Sequence, residues 1–154
     1  MREKRGVKIN KWKLTVFHCL IPLFLGGIMY ILFRSSGLRM FHWFSILGLD
    51  SLIYSLRSIF SPFKNYLPYW TYCSLPDGLW VYASTVALLV FWNGKLTFWV
   101  ILPFLSGLFV EIAQGLHFFP GTFDTLDVLF YFFALILSVK IVLPKFTKNE
   151  SSIL

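Results

Sequence analysis

Four of the seven acidic residues in this 154-residue chain, Asp77, Glu111, Asp124 and Asp127, fall at or near the ends of three apolar runs. Carboxylates gathered in this way can bind a cationic or hydroxyl-bearing group, or exchange a proton with it. Gln114 and His117 follow Glu111 at three and six residues. The spacing predicts a polar recess in which Asp77, Gln114, Asp124 and Asp127 contact a ligand. Glu111, with His117 beside it, is the group expected to act as acid or base if a reaction occurs there.

Glu111 carries the strongest signal. It lies inside the third apolar run, where an ionised carboxylate is costly unless it faces protein, water or a partner. Gly107, Glu111 and Gln114 share one helical face at spacings of four and three, so a small residue would let a neighbouring helix approach beside the acid. The competing reading ends that span near Val110 and leaves Glu111 at the interface. Asp77 competes with a capping box, since Ser74-Leu-Pro-Asp77 places a cap three residues ahead of an acid, and Asp124-Thr-Leu-Asp127 allows the same reading. His117 precedes Phe-Phe-Pro-Gly, a turn signal, which makes an interfacial side chain its competing role.

Glu111, Asp124 and Asp127 would offer hard oxygen ligands, but no loop spacing specifies a metal site, and no cofactor is expected. The chain has no Gly-x-Ser-x-Gly elbow, His-Glu-x-x-His, phosphate loop or Gly-x-Gly-x-x-Gly. Cys19 is expected inside the bilayer and Cys73 on the side opposite the N-terminus, so no disulfide is expected.

The elements that must position these residues follow from composition. Hydrophobic residues make up 57% of the chain and charged ones 14%, with mean hydropathy +0.71, against roughly 45–50% apolar in soluble domains. The expected fold class is an all-α membrane protein, a four-transmembrane-helix bundle forming one domain over residues 1–154. The spans are expected at residues 14–33, 78–93, 96–119 and 126–143. The first run is uncharged and covers roughly 30 Å as a helix; it ends in Phe-Arg-Ser-Ser without a small-x-small cleavage site, so it reads as an uncleaved anchor. Lys140, inside the fourth run, can snorkel to the interface near Pro144.

Only Gly94 and Lys95 separate the second and third runs, which predicts a tight hairpin marked by Trp92 and Trp99. Six basic residues (Arg2, Lys4, Arg5, Lys8, Lys11, Lys13) precede the first run; Lys95, Lys140, Lys145 and Lys148 share their side, giving 10 against the 4 of the first connection, Arg34, Arg39, Arg57 and Lys64. Both termini are therefore expected in the cytoplasm. This placement accounts for the net charge of +7 and leaves no basic stripe for nucleic acid.

The first connection, residues 34–76, is too long for a turn and too aromatic for a solvated linker. Ile46, Leu49, Ile53, Leu56 and Phe60 recur at helical spacing within residues 41–60. The preferred reading is an amphipathic helix lying on the outer leaflet, and its competitor is a helix packed across the outer ends of the spans. The tail 146–154 is expected to be loosely held.

The segment Phe109-Val-Glu111-Ile-Ala-Gln114, followed by Pro120-Gly121-Thr-Phe-Asp124-Thr-Leu-Asp127-Val-Leu, resembles the C-terminal signature of the VanZ-like family of small bacterial membrane proteins. That signature is Glu-x-x-Gln, a turn often holding Pro-Gly and Arg, and an Asp starting the last span. Asp77 resembles an acid that the family places at the end of the second span. The chain departs from the pattern at Thr122, where the family usually has arginine, at Tyr131 for asparagine, at Ala134 for glycine, and near Val81, where a histidine often follows. The resemblance, over residues 75–140, implies an integral protein of the bacterial cytoplasmic membrane. The family's founding member is associated with resistance to a lipid-bearing glycopeptide, a property not carried over to this chain.

The expected partners are membrane lipids or another amphiphile whose headgroup enters the recess, with Arg34, Arg39 or Arg57 available to an anionic group. The alternative is a non-catalytic subunit that joins a protein partner in the membrane. A proton-coupled exporter fits less well, because Glu111 lies towards the end of its run.

Overall fold

The computed structural model describes residues 10–150, with side chains through residue 147. The basic residues Arg2, Lys4, Arg5 and Lys8, and the last four residues of the tail, lie outside the described residues. The described chain is helical: α1 (Lys11–Phe33), α2 (Arg39–Ile46), α3 (Asp50–Phe60), a 3-10 turn (Ser61–Tyr66), α4 (Tyr69–Tyr72), α5 (Ser74–Phe91), α6 (Phe98–Gly115) and α7 (Thr125–Glu150). Four helices, α1, α5, α6 and the Thr125–Thr147 part of α7, are long and apolar enough to cross a membrane. Their apolar residues outnumber what the bundle can bury, and Leu23, Phe24, Leu105, Phe109, Phe132 and Phe133 among others point outward. Such surface suits lipid rather than water.

Helix α5 is the centre of the bundle. Gly78, Val81, Thr85, Val86 and Leu89 are buried along it, and it packs against α1, α6 and, most extensively, α7. Helix α7 answers with Tyr131, Ala134, Ser138, Val142 and Phe146, an inward stripe at spacings of three and four. Small residues set the approach, as expected where lipid tails remove the usual hydrophobic drive between helices. A methyl group built on Gly26 would stand 3.2 Å from the Pro76 carbonyl of α5, and one on Gly78 would stand 3.1 Å from Phe130.

The second span begins four residues earlier than expected, because Ser74-Leu-Pro-Asp77 is helical and not a lead-in. The third ends at Gly115 and not near residue 119, so Glu111 lies within the helix. Helix α1 widens to i→i+5 bonding over Val16–Leu20. Pro22 follows and has no amide hydrogen for the carbonyl four residues back at His18, a sufficient local reason for the altered ladder.

Helices α2, α5 and α6 end alike, with a left-handed residue and paired 6→1 and 5→2 bonds. In α6 the left-handed residue is His117 (φ +61°), in α5 it is Asn93 (φ +53°) and in α2 it is Gly48 (φ +70°). After Asn93, Gly94 is also left-handed (φ +77°) and its α-carbon faces the Phe146 ring so closely that no methyl group fits. Gly94→Ala is expected to lower stability by about 3 kcal/mol, combining backbone strain with overpacking. Unfolding titrations in mild detergent check this, and a change under about 0.5 kcal/mol would show that α7 yields freely there.

The single amphipathic helix expected over residues 41–60 is not what forms. Gly48 closes α2, and a separate helix, α3, starts at Asp50. Of the apolar stripe only Ile53 is buried; Ile46 is 71% exposed, and Leu56 and Phe60 remain open.

Candidate functional site

The two ends of the bundle differ in chemistry. At the end where α1 stops, Arg34 and Asp77 form an ion pair of 2.8 Å, the one ion pair among the described residues. The Tyr30 hydroxyl donates to the other Asp77 oxygen at 2.8 Å, and Arg34 reaches Tyr30 and the Cys73 carbonyl at 3.2 and 3.3 Å. Burial works against the Arg34 charge, but Tyr30 and Asp77 outweigh it and hold the guanidinium above its ordinary pKa. Asp77 is therefore no capping residue. Ser74, the other half of the expected capping box, is fully buried with its hydroxyl unpartnered. Arg34 spends Nη2 on Asp77, Tyr30 and the Cys73 carbonyl, so an anionic headgroup would compete with Asp77 for it.

Glu111 faces inward as the Gly107–Gln114 face predicts, and it is only 3% exposed. One carboxylate oxygen accepts the Asp124 backbone N–H at 2.9 Å, and the Tyr131 hydroxyl lies 3.5 Å from the other. Glu111 thus binds the N-terminal lead of α7 to α6. A methyl group on Gly107 would meet the Tyr131 ring at 2.9 Å, so that glycine is what admits the tyrosine beside the acid.

Asp124 itself caps α7, its side chain accepting from the Leu126 N–H at 2.8 Å. Asp127, one turn along, keeps a buried oxygen without a partner. Gln114 folds over the turn that joins the helices, donating to the Pro120 carbonyl at 3.4 Å. His117 stands apart: it is exposed, and its left-handed backbone closes α6. The four acids Asp77, Glu111, Asp124 and Asp127 thus lie at one end of the bundle, with Glu111 bonded to the Asp124 N–H and Gln114 folded over the adjoining turn. No group of three or more His, Cys, Asp or Glu among the described residues is arranged to hold a metal ion.

Beside the ion pair, a cleft of about 330 Å³ opens between α1 and α5. Its walls are Leu23, Gly26, Gly27, Pro76 and Trp80, and its polar end is Tyr30 and Asp77. Gly27 leaves open space where a side chain would stand. The connection closes the same end of the bundle: Arg57 donates to the Ile31 and Arg34 carbonyls at 2.9 and 2.8 Å, and Lys64 donates to that of Phe33 at 3.3 Å. These cations satisfy the orphan carbonyls of α1 and oppose its dipole.

At the opposite end α1 is bonded to the α5–α6 hairpin and to α7. Lys11 bonds Asn93, and Lys145 lies 3.1 Å from His18 Nε2 while His18 Nδ1 lies 2.7 Å from the Tyr82 hydroxyl. An ammonium can only donate, so Nε2 accepts and Nδ1 carries the proton given to Tyr82. Cys19 and Cys73 are both buried and free.

Sequence reasoning missed Tyr30 and gave Tyr131 no role beyond a departure from a pattern. Both are hydroxyls on apolar helices that address buried carboxylates, and tyrosine within a span near an acid is the signal that could have found them. The fold and its polar end define a multi-pass membrane protein. Comparison of the chain with protein-family models, with curated proteins and with solved structures gives no match.

Proposed function

We propose that this chain is a VanZ-like multi-pass protein of a bacterial cytoplasmic membrane whose extracytoplasmic acidic recess engages the headgroup of a lipid or other amphiphile. Both termini face the cytoplasm in this reading. The observation that carries it is the cleft between α1 and α5, which has the shape of an amphiphile: an apolar slot flanked by Gly27 and Trp80 that ends on the Tyr30 hydroxyl and the Asp77 carboxylate. Of the cations at this end, Arg34 is paired with Asp77, and Arg57 and Lys64 are spent on the carbonyls at the end of α1, so four carboxylates favour a headgroup bearing amines or hydroxyls. Asp77 lines the cleft and would meet such a group in competition with Arg34 and Tyr30, while Asp127, with one oxygen unpartnered, Asp124 and Gln114 complete the recess of this reading outside the cleft. Glu111 is the proton-transfer group of this reading only if Tyr131 and the Asp124 N–H release it.

The alternative is a non-catalytic partner or scaffold subunit of an envelope complex. It draws support from Glu111, both of whose oxygens already face donors on the lead and body of α7.

Native mass spectrometry of the gently solubilised protein tests the choice. Gly27→Leu fills the slot from a position with open space around it and leaves the carboxylates untouched. The wild type is expected to retain a defined amphiphile, and Gly27→Leu and Asp77→Asn are expected to reduce it about tenfold, a difference of about 1.4 kcal/mol. A wild type free of amphiphile and accompanied stoichiometrically by another protein would establish the scaffold instead.

A further inference from the structure

One further concavity belongs to neither the recess nor the cleft. It is an open groove of about 890 Å³ between α2 and α3. Arg39 and His42, one turn apart on α2, line one side; Asp50, Tyr54 and Arg57, at spacings of four and three on α3, line the other. Arg57 has already given hydrogen bonds to the end of α1 and stacks its guanidinium 4.9 Å above the Phe41 ring, so it lends the groove charge more than contacts. Arg39, His42 and Asp50 make no side-chain hydrogen bond or ion pair among the described residues. A cation and an anion thus face one groove, both exposed and both with their side-chain hydrogen-bonding groups unspent, so the groove is complementary to a ligand that carries charges of both signs.

Depth narrows what that is. Helix α1 ends at Phe33, and Arg57 is tied to the carbonyls of Ile31 and Arg34, so the groove lies at the level where a bilayer's hydrocarbon gives way to headgroups. Trp43 and Tyr54 stand exposed at its rim, as aromatic side chains do at that level. We propose that this groove is a second, separate site that holds the headgroup of a phospholipid bearing both a phosphate and a primary ammonium group. Arg39 and His42 take the phosphate, and Asp50 takes the ammonium with the Tyr54 and Trp43 rings beside it.

The test is lipid retention by native mass spectrometry after equilibration with equal amounts of phosphatidylethanolamine, phosphatidylglycerol and phosphatidylcholine. Wild type is expected to retain phosphatidylethanolamine about fivefold over phosphatidylglycerol. Asp50→Asn is expected to bring the two to parity, and Arg39→Gln with His42→Gln to lower retention of all three about tenfold. These side chains are exposed and unbonded, so the variants are expected to keep the wild-type melting temperature, measured alongside. All variants are compared in the Gly27→Leu background, in which the slot of the recess is filled, so the lipid lost when the groove is emptied is the groove's own. Equal retention of phosphatidylglycerol by the wild type, or an unchanged preference in Asp50→Asn, overturns the proposal. Soluble phosphoethanolamine that displaces the lipid at equal concentration overturns the assignment to a lipid.

Discussion

Arg34→Gln is expected to destabilise the folded bundle by about 2–3 kcal/mol. The substitution strands the Asp77 carboxylate, four-fifths buried by its side-chain exposure of 21%, with only the Tyr30 hydroxyl to support it, and removes the Arg34 donor from the Cys73 carbonyl. Partial exposure of both partners keeps the figure below that of a fully buried pair, since water screens part of the loss. Asp77→Asn in the same chain is expected to recover about half of the loss, because a neutral amide needs no counter-charge. A double-mutant cycle on unfolding in mild detergent measures the coupling; a value indistinguishable from zero would mean that α1 and α5 are held by their small-residue contact alone.

Glu111 is the second position where a large effect is expected. Glu111→Ala leaves the Asp124 N–H and the Tyr131 hydroxyl without their acceptor and opens a cavity beside Gly107, at a cost of about 3 kcal/mol. Glu111→Gln keeps an amide oxygen for the Asp124 N–H and is expected to cost about 1 kcal/mol. Tyr131→Phe, which removes only the 3.5 Å contact, is expected to cost less than either. The order Ala, Gln, Phe in thermal unfolding is the result that distinguishes a helix-joining acid from one held for a ligand. If Glu111→Gln were as damaging as Glu111→Ala, the charge itself would be required, and the hydrogen-bond account would fail.

The two sites differ in how far they could be read in advance. Glu111 was legible as inward-facing because helical spacing alone places Gly107 and Gln114 on its face. Asp77 was not, because its partner Arg34 is 43 residues away and only the packing of α1 on α5 brings them together. The local pattern around Asp77 favours a capping box, yet α4 runs almost directly into α5 and leaves no free helix start for Ser74 to cap. Arg57 shows the same limit: charge counting assigns it a side of the membrane, whereas the structure uses it to close α1. The break at Gly48 was within reach, since an isolated glycine between leucines is a helix-end signal that the long apolar stripe outweighed.

The sequence by itself determined the number of spanning helices, their approximate extent and the hairpin at Gly94, because hydropathy and turn chemistry are local properties that need no knowledge of neighbours. It also put Glu111 on one helical face with Gly107 and Gln114, and the structure decided for the inward reading over the interfacial one. Tertiary structure alone decided that Arg34 belongs to Asp77, that Tyr131 and the Asp124 N–H belong to Glu111, that His18 links Tyr82 to Lys145, and that the connection folds into two helices around a charged groove. Each of these joins residues from separate helices. A pairing between helices depends on rotation and depth within the bundle, and a shift of one residue turns a helical side chain by about 100°, so spacing along one chain does not specify it.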